Sequence, residues 1–458
     1  MSTAVVMGTG KTGSAAFRTR GIIEGFYGPP WTHAQRLDMI EFIAARGMNT
    51  FVYGPKDDPL VRRDWRVRYA GHDLARLAEL AEHCARHGVE LVYCLSPGLS
   101  IEYSSPRDRA LLDAKFGSVA ELGIRSFGLL LDDIPGELQH SVDREMFRDL
   151  ADAHQHLIGA VFDDVLARDP RGRLVVCPTV YRGYGDEEYV TRLGRGIDPR
   201  IDVFWTGRAI CSATLDLADA ATISRSLARP VTYWDNYPVN DVAMGGELHV
   251  GPYLGRDRHL YRFATGVIAN GMSLFESSKI AFATIADYLW APETYDPEAS
   301  LRTAIRDVLA NEEDAAAFAI FADNVRSSCL CDEDAPEVGA ALERFGFLID
   351  TGRVDEAGSE LSTVASRLRQ AAEHLLSGSV NNTAIIAEAR PWIEMFEVGA
   401  RAIATLAERV RETPIDGGTA ELLASHLRSL RATGRRVFGD ALDMALSELI
   451  DGAATRRA

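Results

Sequence analysis

Between about residue 20 and residue 291 the chain alternates, eight times over, a short apolar run with a longer stretch whose apolar residues recur at helical spacing. The runs are Gly21–Gly25, Thr50–Tyr53, Glu90–Leu95, Ser126–Leu131, Arg173–Cys177, Ile201–Trp205, Val231–Trp234 and Phe263–Ile268. Between them lie amphipathic stretches such as Thr32–Arg46, Asp73–His87, Arg107–Leu122 and Arg144–Ala167. A strand covered on both faces reads as an unbroken apolar run, and such strands belong to parallel sheets flanked by helices. Eight strand–helix repeats in roughly 270 residues have the size of a closed (β/α)8 barrel, an α/β fold of the TIM type. A doubly wound open sheet is the competitor, but it rarely needs eight alternations before a terminal helical block.

The alternation stops at Tyr288-Leu-Trp-Ala-Pro-Glu-Thr-Tyr-Asp-Pro297, where two prolines break it. From Leu301 to about Ile450 the chain is rich in Ala, Leu, Glu and Arg, with apolar residues at helical spacing. Leu361, Val364, Leu368 and Leu375 form one such set, and Leu422, Leu423, Leu427 and Leu430 another. This predicts an all-α bundle of four or five helices, with connections at Ser377–Asn382 and Glu412–Gly418. A chain of 458 residues is too long for one ordinary core, so two domains are expected. The limits read from the sequence are a loose segment over 1–18, the barrel over 19–292, the bundle over 298–452 and a tail over 453–458.

Several function classes are disfavoured. A formal net charge of −17 argues against a nucleic-acid partner. No stretch near twenty residues is free of charge, so no membrane span is expected. The N-terminus lacks a basic segment followed by a long apolar run, which makes the cytoplasm the expected location. Gly8-Thr-Gly-Lys-Thr-Gly13 fits neither a P-loop, since Val5 stands where a Gly is needed, nor a dinucleotide site, since another strand follows it. Cys84, Cys94 and Cys177 fall inside helix or strand patterns and read as core residues, while Cys329-Leu-Cys331 lacks a second pair for zinc. His83 and His87 stand four apart on one helix but show no third ligand nearby, and a solvated helix face is the simpler reading. No metal and no cofactor is expected.

The strand ends carry the chemistry. Ser126-Phe-Gly-Leu-Leu-Leu-Asp-Asp-Ile134 runs an apolar strand straight into two carboxylates, Asp132 and Asp133, at the end where α/β barrels place their active sites. Adjacent acids suit acid/base work, because one environment can keep a proton on one and off the other. Glu24-Gly-Phe-Tyr-Gly-Pro-Pro-Trp31 follows the first strand, with Gly25 and Gly28 permitting close approach of a ligand and Tyr27 and Trp31 available to wall a pocket. Lys56 follows the second strand, with Asp57-Asp58 as candidate caps; Tyr181 follows the fifth; Trp234, Asn236 and Asp241 lie at and after the seventh; Asn270 ends the eighth. Taken singly, each could cap a helix or meet water. Carboxylates, amides and aromatic faces converging on one rim make up the chemistry of a sugar site.

These blocks also carry a family likeness. Arg20–Gly28, Asn49–Asp58, Leu95-Ser-Pro-Gly98, Leu130-Leu-Asp-Asp-Ile134, Trp234-Asp-Asn236 and Gly251-Pro-Tyr253 resemble, in order and spacing, the conserved blocks of glycoside hydrolase family 84. That family holds protein O-GlcNAcases and bacterial β-N-acetylglucosaminidases. The resemblance implies a retaining exo-hexosaminidase in which the substrate's own acetamido oxygen attacks the anomeric carbon, giving an oxazoline. It implies that Asp132 orients the acetamido N–H and that Asp133 is the general acid, then the base. On this reading the pKa of Asp133 is expected to be raised, since an ordinary Asp at about 3.9 is a poor acid at neutral pH. By the same resemblance Gly25 presents its carbonyl to a hydroxyl with Lys56 on the same side. Asp241 holds the hydroxyls at carbons four and six with Asn270 beside it, Asn236 meets the acetamide region, Tyr181 donates to the acetamido oxygen and Trp234 walls the N-acetyl pocket.

Gly54, Val180 and Pro135-Gly-Glu137 depart from the family pattern, which bears on the aglycone side. The chitinase-type Asp-x-x-Asp-x-Asp-x-Glu pattern is not met by Asp132-Asp-Ile-Pro-Gly-Glu137. The expected partner is a GlcNAc-containing glycoside or glycoprotein, with homodimerisation through the helical domain as a further family trait. The alternatives are a non-catalytic GlcNAc-binding barrel and a hexosaminidase specialised for a glycosylated small molecule.

Overall fold

Each of the eight apolar runs folds as a strand, and the strands pair in chain order, all parallel, with the last returning to the first. They are β1 (Thr19–Glu24), β2 (Thr50–Tyr53), β3 (Glu90–Leu95), β4 (Ser126–Leu130), β5 (Arg173–Cys177), β6 (Asp202–Trp205), β7 (Val231–Asp235) and β8 (Ala264–Asn270). The computed structural model describes residues 13–333, 335–410 and 417–455. The string Gly8–Lys11, most of the expected N-terminal segment and most of the Glu412–Gly418 connection lie outside them, as does the end of the tail.

The barrel is closed by a packed interior. Ile23, Val52, Val92, Cys94, Leu130, Val175, Cys177, Phe204, Trp234 and Ile268 form one buried cluster to which every strand contributes. Gly128 interrupts the apolar run of β4 for a steric reason: a Cβ there would stand 2.2 Å from Cys94 Sγ. Gly128→Ala is therefore expected to overpack the barrel and cost about 1–3 kcal/mol, read as a lower urea midpoint with an unchanged slope.

The barrel helices follow from local signals. They are α1 (His33–Ala45), α2 (Gly71–Arg86), α3 (Pro106–Ala120), α4 (Ser141–Met146), α5 (Leu150–Arg168), α6 (Glu188–Gly196), α7 (Leu217–Leu227) and α8 (Phe275–Trp290). Thr32 and Gln35 make a capping box at the start of α1. The stretch Arg144–Ala167, expected as one helix, is split because the Asp149 side chain accepts the N–H of Asp152 at 3.1 Å and opens α5 there. His83, read as solvated, is buried: its Nε2 lies 3.1 Å from the Leu37 carbonyl and 3.2 Å from Glu41. Glu41 thereby joins His83 and His87 as a third potential ligand, supplied by the neighbouring helix α1 and invisible to spacing within α2.

The chain forms two compact units. The barrel unit runs through Val239 and takes in Tyr253–Phe275 and Phe282–Asp296; the other comprises Asn240–Pro252, Glu276–Ala281 and the chain from Pro297. The second unit is helical, with α9 (Pro297–Leu309), α10 (Glu312–Asp323), α11 (Pro336–Asp350), α12 (Val354–Leu376), α13 (Thr383–Arg409), α14 (Gly417–Ala432) and α15 (Gly439–Thr455). That exceeds the four or five helices expected, because caps such as Asn311, which accepts two N–H groups at the start of α10, cut the periodic stretch. Phe318, Phe321, Phe396 and Phe438 pack as its aromatic core. No helix among the described residues is long and apolar enough to cross a membrane.

Candidate active site

The carboxyl ends of the parallel strands bring all but one of the expected site residues into the barrel unit. Asp241 is the exception: it precedes the short turn Val242–Met244 and belongs to the helical unit. The others form two hydrogen-bonded groups, one around the aspartates and one around Trp234.

The first group is centred on a buried cation. Lys56, whose side chain is 2% exposed, places Nζ on Asp132 Oδ2 and lies 3.6 Å from Asp133 Oδ2. Burial disfavours its charge, but the two aspartates more than offset this and hold it protonated. The ammonium thus bridges the two carboxylates. Asp132 is buried, and among the described residues its second oxygen, Oδ1, finds no hydrogen-bond partner. Such an atom costs about 1–3 kcal/mol, and more for a charged group, so it marks a place where a donor is wanted.

Asp133 is placed differently. Its side chain is 34% exposed and its φ of 54° lies in the left-handed region, which Asp tolerates better than most residues. Tyr27 donates to Oδ2 at 2.8 Å and Tyr181 to Oδ1 at 3.0 Å. The expected rise in its pKa is overturned by this setting. Burial pushes the carboxyl up, but the Lys56 charge, the two phenol hydrogen bonds and the Arg62 charge together hold it below the usual Asp value. Both phenols are themselves held protonated, chiefly by burial, so they remain donors.

The second group lines the β7, β8 and β1 side. Trp234 Nε1 and Asn270 Nδ2 both donate to Asn236 Oδ1, each at 3.0 Å, and Asn236 Nδ2 donates to the Ile210 carbonyl at 2.9 Å. Asn270 Oδ1 accepts the Gly25 N–H at 3.2 Å. Gly25 is required here, because a Cβ would stand 2.7 Å from Trp234 Cζ2. The Trp234 ring lies 5.6 Å from Lys56 Nζ and edge-on to Phe204, which ties the two groups together. Beneath them Glu24 is fully buried, paired with Arg36 at 2.6 Å and accepting the Trp31 N–H at 2.9 Å, which fixes the loop after β1. Trp31, read as a pocket wall, packs instead in the core against Phe26, Phe275 and Phe282. Asp57 accepts the Gly28 N–H at 2.8 Å, and Asp58 accepts the Leu60 N–H and the Tyr53 hydroxyl; both are loop braces. Arg62, which sequence reasoning missed, donates to Tyr27 Oη at 2.8 Å.

Comparison with known proteins points the same way. The profile of the β-N-acetylglucosaminidase family matches residues 20–323. The protein O-GlcNAcase of Rattus norvegicus is 32% identical over 287 residues, 61% of this chain and 31% of its own length. That of Mus musculus is 31% identical over 285 residues, with the same coverage of 61% and 31%. The chain thus spans about a third of the length of these curated relatives. The solved structure of a Thermobaculum terrenum O-GlcNAc hydrolase mutant superposes with a TM-score of 0.91 at 32% identity, covering 96% of each chain. A barrel with paired aspartates at the end of β4, matched by that profile over most of its length, places this chain in the β-N-acetylglucosaminidase family, glycoside hydrolase family 84.

Proposed function

We propose that this protein is a retaining exo-β-N-acetylglucosaminidase that releases terminal β-linked GlcNAc by substrate-assisted catalysis. The observation that carries the reading is the division of labour within the aspartate pair: Asp132 is buried with one oxygen unpartnered, while Asp133 is part-exposed between two phenols. Both carboxylates leave one strand end and share one ammonium, so neither stands across a sugar ring from the other as an enzyme nucleophile would. The acetamido oxygen then supplies the missing nucleophile. It bonds to the anomeric carbon as the glycosidic C–O bond breaks, and Asp133 gives its proton to the departing oxygen. Asp132 Oδ1 accepts the acetamido N–H and stabilises the charge that grows there. Water opens the oxazoline, returning its proton to Asp133.

The remaining residues serve this step. The Tyr181 hydroxyl turns from Asp133 to the acetamido oxygen, the Trp234 face walls the N-acetyl group, and Asn236, Asn270 and Gly25 line the sugar. Relatives named protein O-GlcNAcase and O-GlcNAc hydrolase support GlcNAc on a hydroxyl oxygen as the substrate class. Turnover of methylumbelliferyl β-GlcNAc against the matching glucoside tests the reading. The glucoside lacks both the nucleophile and the group Asp132 binds, so its kcat/KM is expected to be lower by about 10⁴-fold. No turnover of the GlcNAc substrate by folded protein, or equal turnover of both, would sink it.

A further inference from the structure

Arg62 lies in the loop between β2 and α2 that also carries Lys56, and this loop is pinned from below. Lys115 of α3 is buried and donates to the Leu60 carbonyl at 2.9 Å and to that of Val67, on either side of Arg62. Trp65 is fully buried and donates to Ser100 Oγ at 3.1 Å. From this fixed base the Arg62 guanidinium makes two contacts toward the proposed acid. Nη1 donates to Tyr27 Oη at 2.8 Å, and the same hydroxyl donates to Asp133 Oδ2 at 2.8 Å. Nη2 donates to the Asp133 backbone carbonyl at 3.3 Å. The guanidinium also lies over the Tyr27 ring, 5.5 Å from its centroid.

The contacts to Asp133 are of different kinds. One acts on its carboxylate through a phenol, and the other acts on its peptide, where a φ of 54° must be held by the surroundings. A planar fork can satisfy both at once, whereas a point charge such as an ammonium cannot. We propose that Arg62 is the positioning residue of the acid/base: by gripping the Asp133 peptide and the Tyr27 hydroxyl together, it aims the Asp133 carboxylate at the leaving-group oxygen. The inference rests on the reading of Asp133 as general acid. The other groups facing that carboxylate are Lys56, Tyr27, Tyr181 and, through Lys56, Asp132, and none of these touches its peptide oxygen among the described contacts.

The test compares kcat/KM for phenyl and dinitrophenyl β-GlcNAc in the wild type, Arg62→Met, Arg62→Lys and Tyr27→Phe. Dinitrophenolate leaves without a proton, while phenolate needs one. Arg62→Met is expected to lose about 10–100-fold on the phenyl glycoside, part of the 10²–10⁴ that general acid catalysis supplies, and under about threefold on the dinitrophenyl one. With an anion-stabilising cation gone, the alkaline limb of kcat/KM should also move to higher pH. Tyr27→Phe removes the phenol's own hydrogen bond to Asp133 together with the arm from Arg62 that passes through it, and should move both readouts the same way by less. Arg62→Lys, which keeps the charge but not the fork, should show the same preferential loss on the phenyl glycoside and serves if Arg62→Met fails to fold. Equal losses on the two substrates with an unmoved limb would mean that Arg62 only braces the loop, overturning the proposal while leaving the hexosaminidase reading intact. A wild type inactive on both substrates would overturn the hexosaminidase reading, and this inference with it.

Discussion

Asp133→Asn is expected to lower kcat/KM on methylumbelliferyl β-GlcNAc by about 10²–10⁴-fold and to leave that on the dinitrophenyl glycoside nearly unchanged. The carboxamide has the shape of the acid but no proton to give, so the deficit should scale with the leaving group's need for one. Formation of the oxazoline from an activated glycoside needs no acid; its hydrolysis still needs a base. On the dinitrophenyl glycoside kcat should therefore fall while kcat/KM holds, and azide, which attacks without losing a proton, should restore kcat. The pH profile supplies the sign. Lys56, Tyr27, Tyr181 and Arg62 outweigh burial and hold Asp133 below the usual Asp range, so the fraction of enzyme carrying the proton shrinks as pH rises through the acidic range. The alkaline limb of kcat/KM reports free enzyme and that of kcat the complex. A leaving-group oxygen that accepts from the acid favours the protonated form, and Tyr181 moving to the acetamide removes one donor from the anion. The limb in kcat should accordingly lie at higher pH than the limb in kcat/KM, and both should vanish in Asp133→Asn. Coincident limbs, or a limb that survives the substitution, would assign the titration to another group.

The barrel was legible because parallel strands buried on both faces leave unbroken apolar runs, and their ends could be located to within a residue or two at Leu130, Cys177 and Asn270. Asp132 and Asp133 were legible for the same reason, since a carboxylate pair directly after such a run sits where barrel chemistry sits. What the sequence hid was convergence. Arg62 stands in Asp-Pro-Leu-Val-Arg-Arg-Asp64, which reads as surface charge, and its partners are 35 and 71 residues away. The pKa of Asp133 was read with the wrong sign because desolvation follows from a strand-end position, whereas the phenols and cations that oppose it come from three other loops. Trp31 shows the converse error. A tryptophan in a Gly-Pro loop looks like a pocket wall, but its indole N–H finds the Met272 carbonyl at 2.9 Å and its rings face the core. The burial of His83 shares the origin of convergence, since its partner Leu37 lies on a neighbouring helix, whereas the break at Asp149 is a local side-chain cap inside a stretch whose apolar spacing runs on through it.

Asp132→Asn should behave differently from Asp133→Asn in every respect that a participating substrate predicts. Acetamide attack is required whatever leaves, so kcat/KM should fall by a similar factor, about 10²–10³-fold, on the dinitrophenyl and methylumbelliferyl substrates alike. Azide should restore neither, because the lost step precedes the oxazoline. Structure gives the reason for the magnitude. Oδ1 of Asp132 is buried and unpartnered, ready to accept the acetamido N–H, while Oδ2 is fixed by Lys56. Asparagine still offers an acceptor but not the charge that stabilises a developing positive nitrogen. The same change weakens a pair whose side chains are only 2% and 7% exposed. Breaking such a pair outright costs about 3–5 kcal/mol, and the nearby Asp133, 3.6 Å from Lys56 Nζ, should compensate part of it. Thermal unfolding should thus register a lower Tm than in Asp133→Asn, whose carboxylate is more exposed. Lys56→Met with Asp132→Asn separates the two effects. Removing the ammonium, left with Asp133 as its one carboxylate neighbour among the described contacts, should recover part of the stability without recovering turnover, since the charge at Oδ1 that the chemistry needs is still missing. Turnover returning with stability would instead reduce Asp132 to a structural partner of Lys56 and leave the acetamido nitrogen without its acceptor.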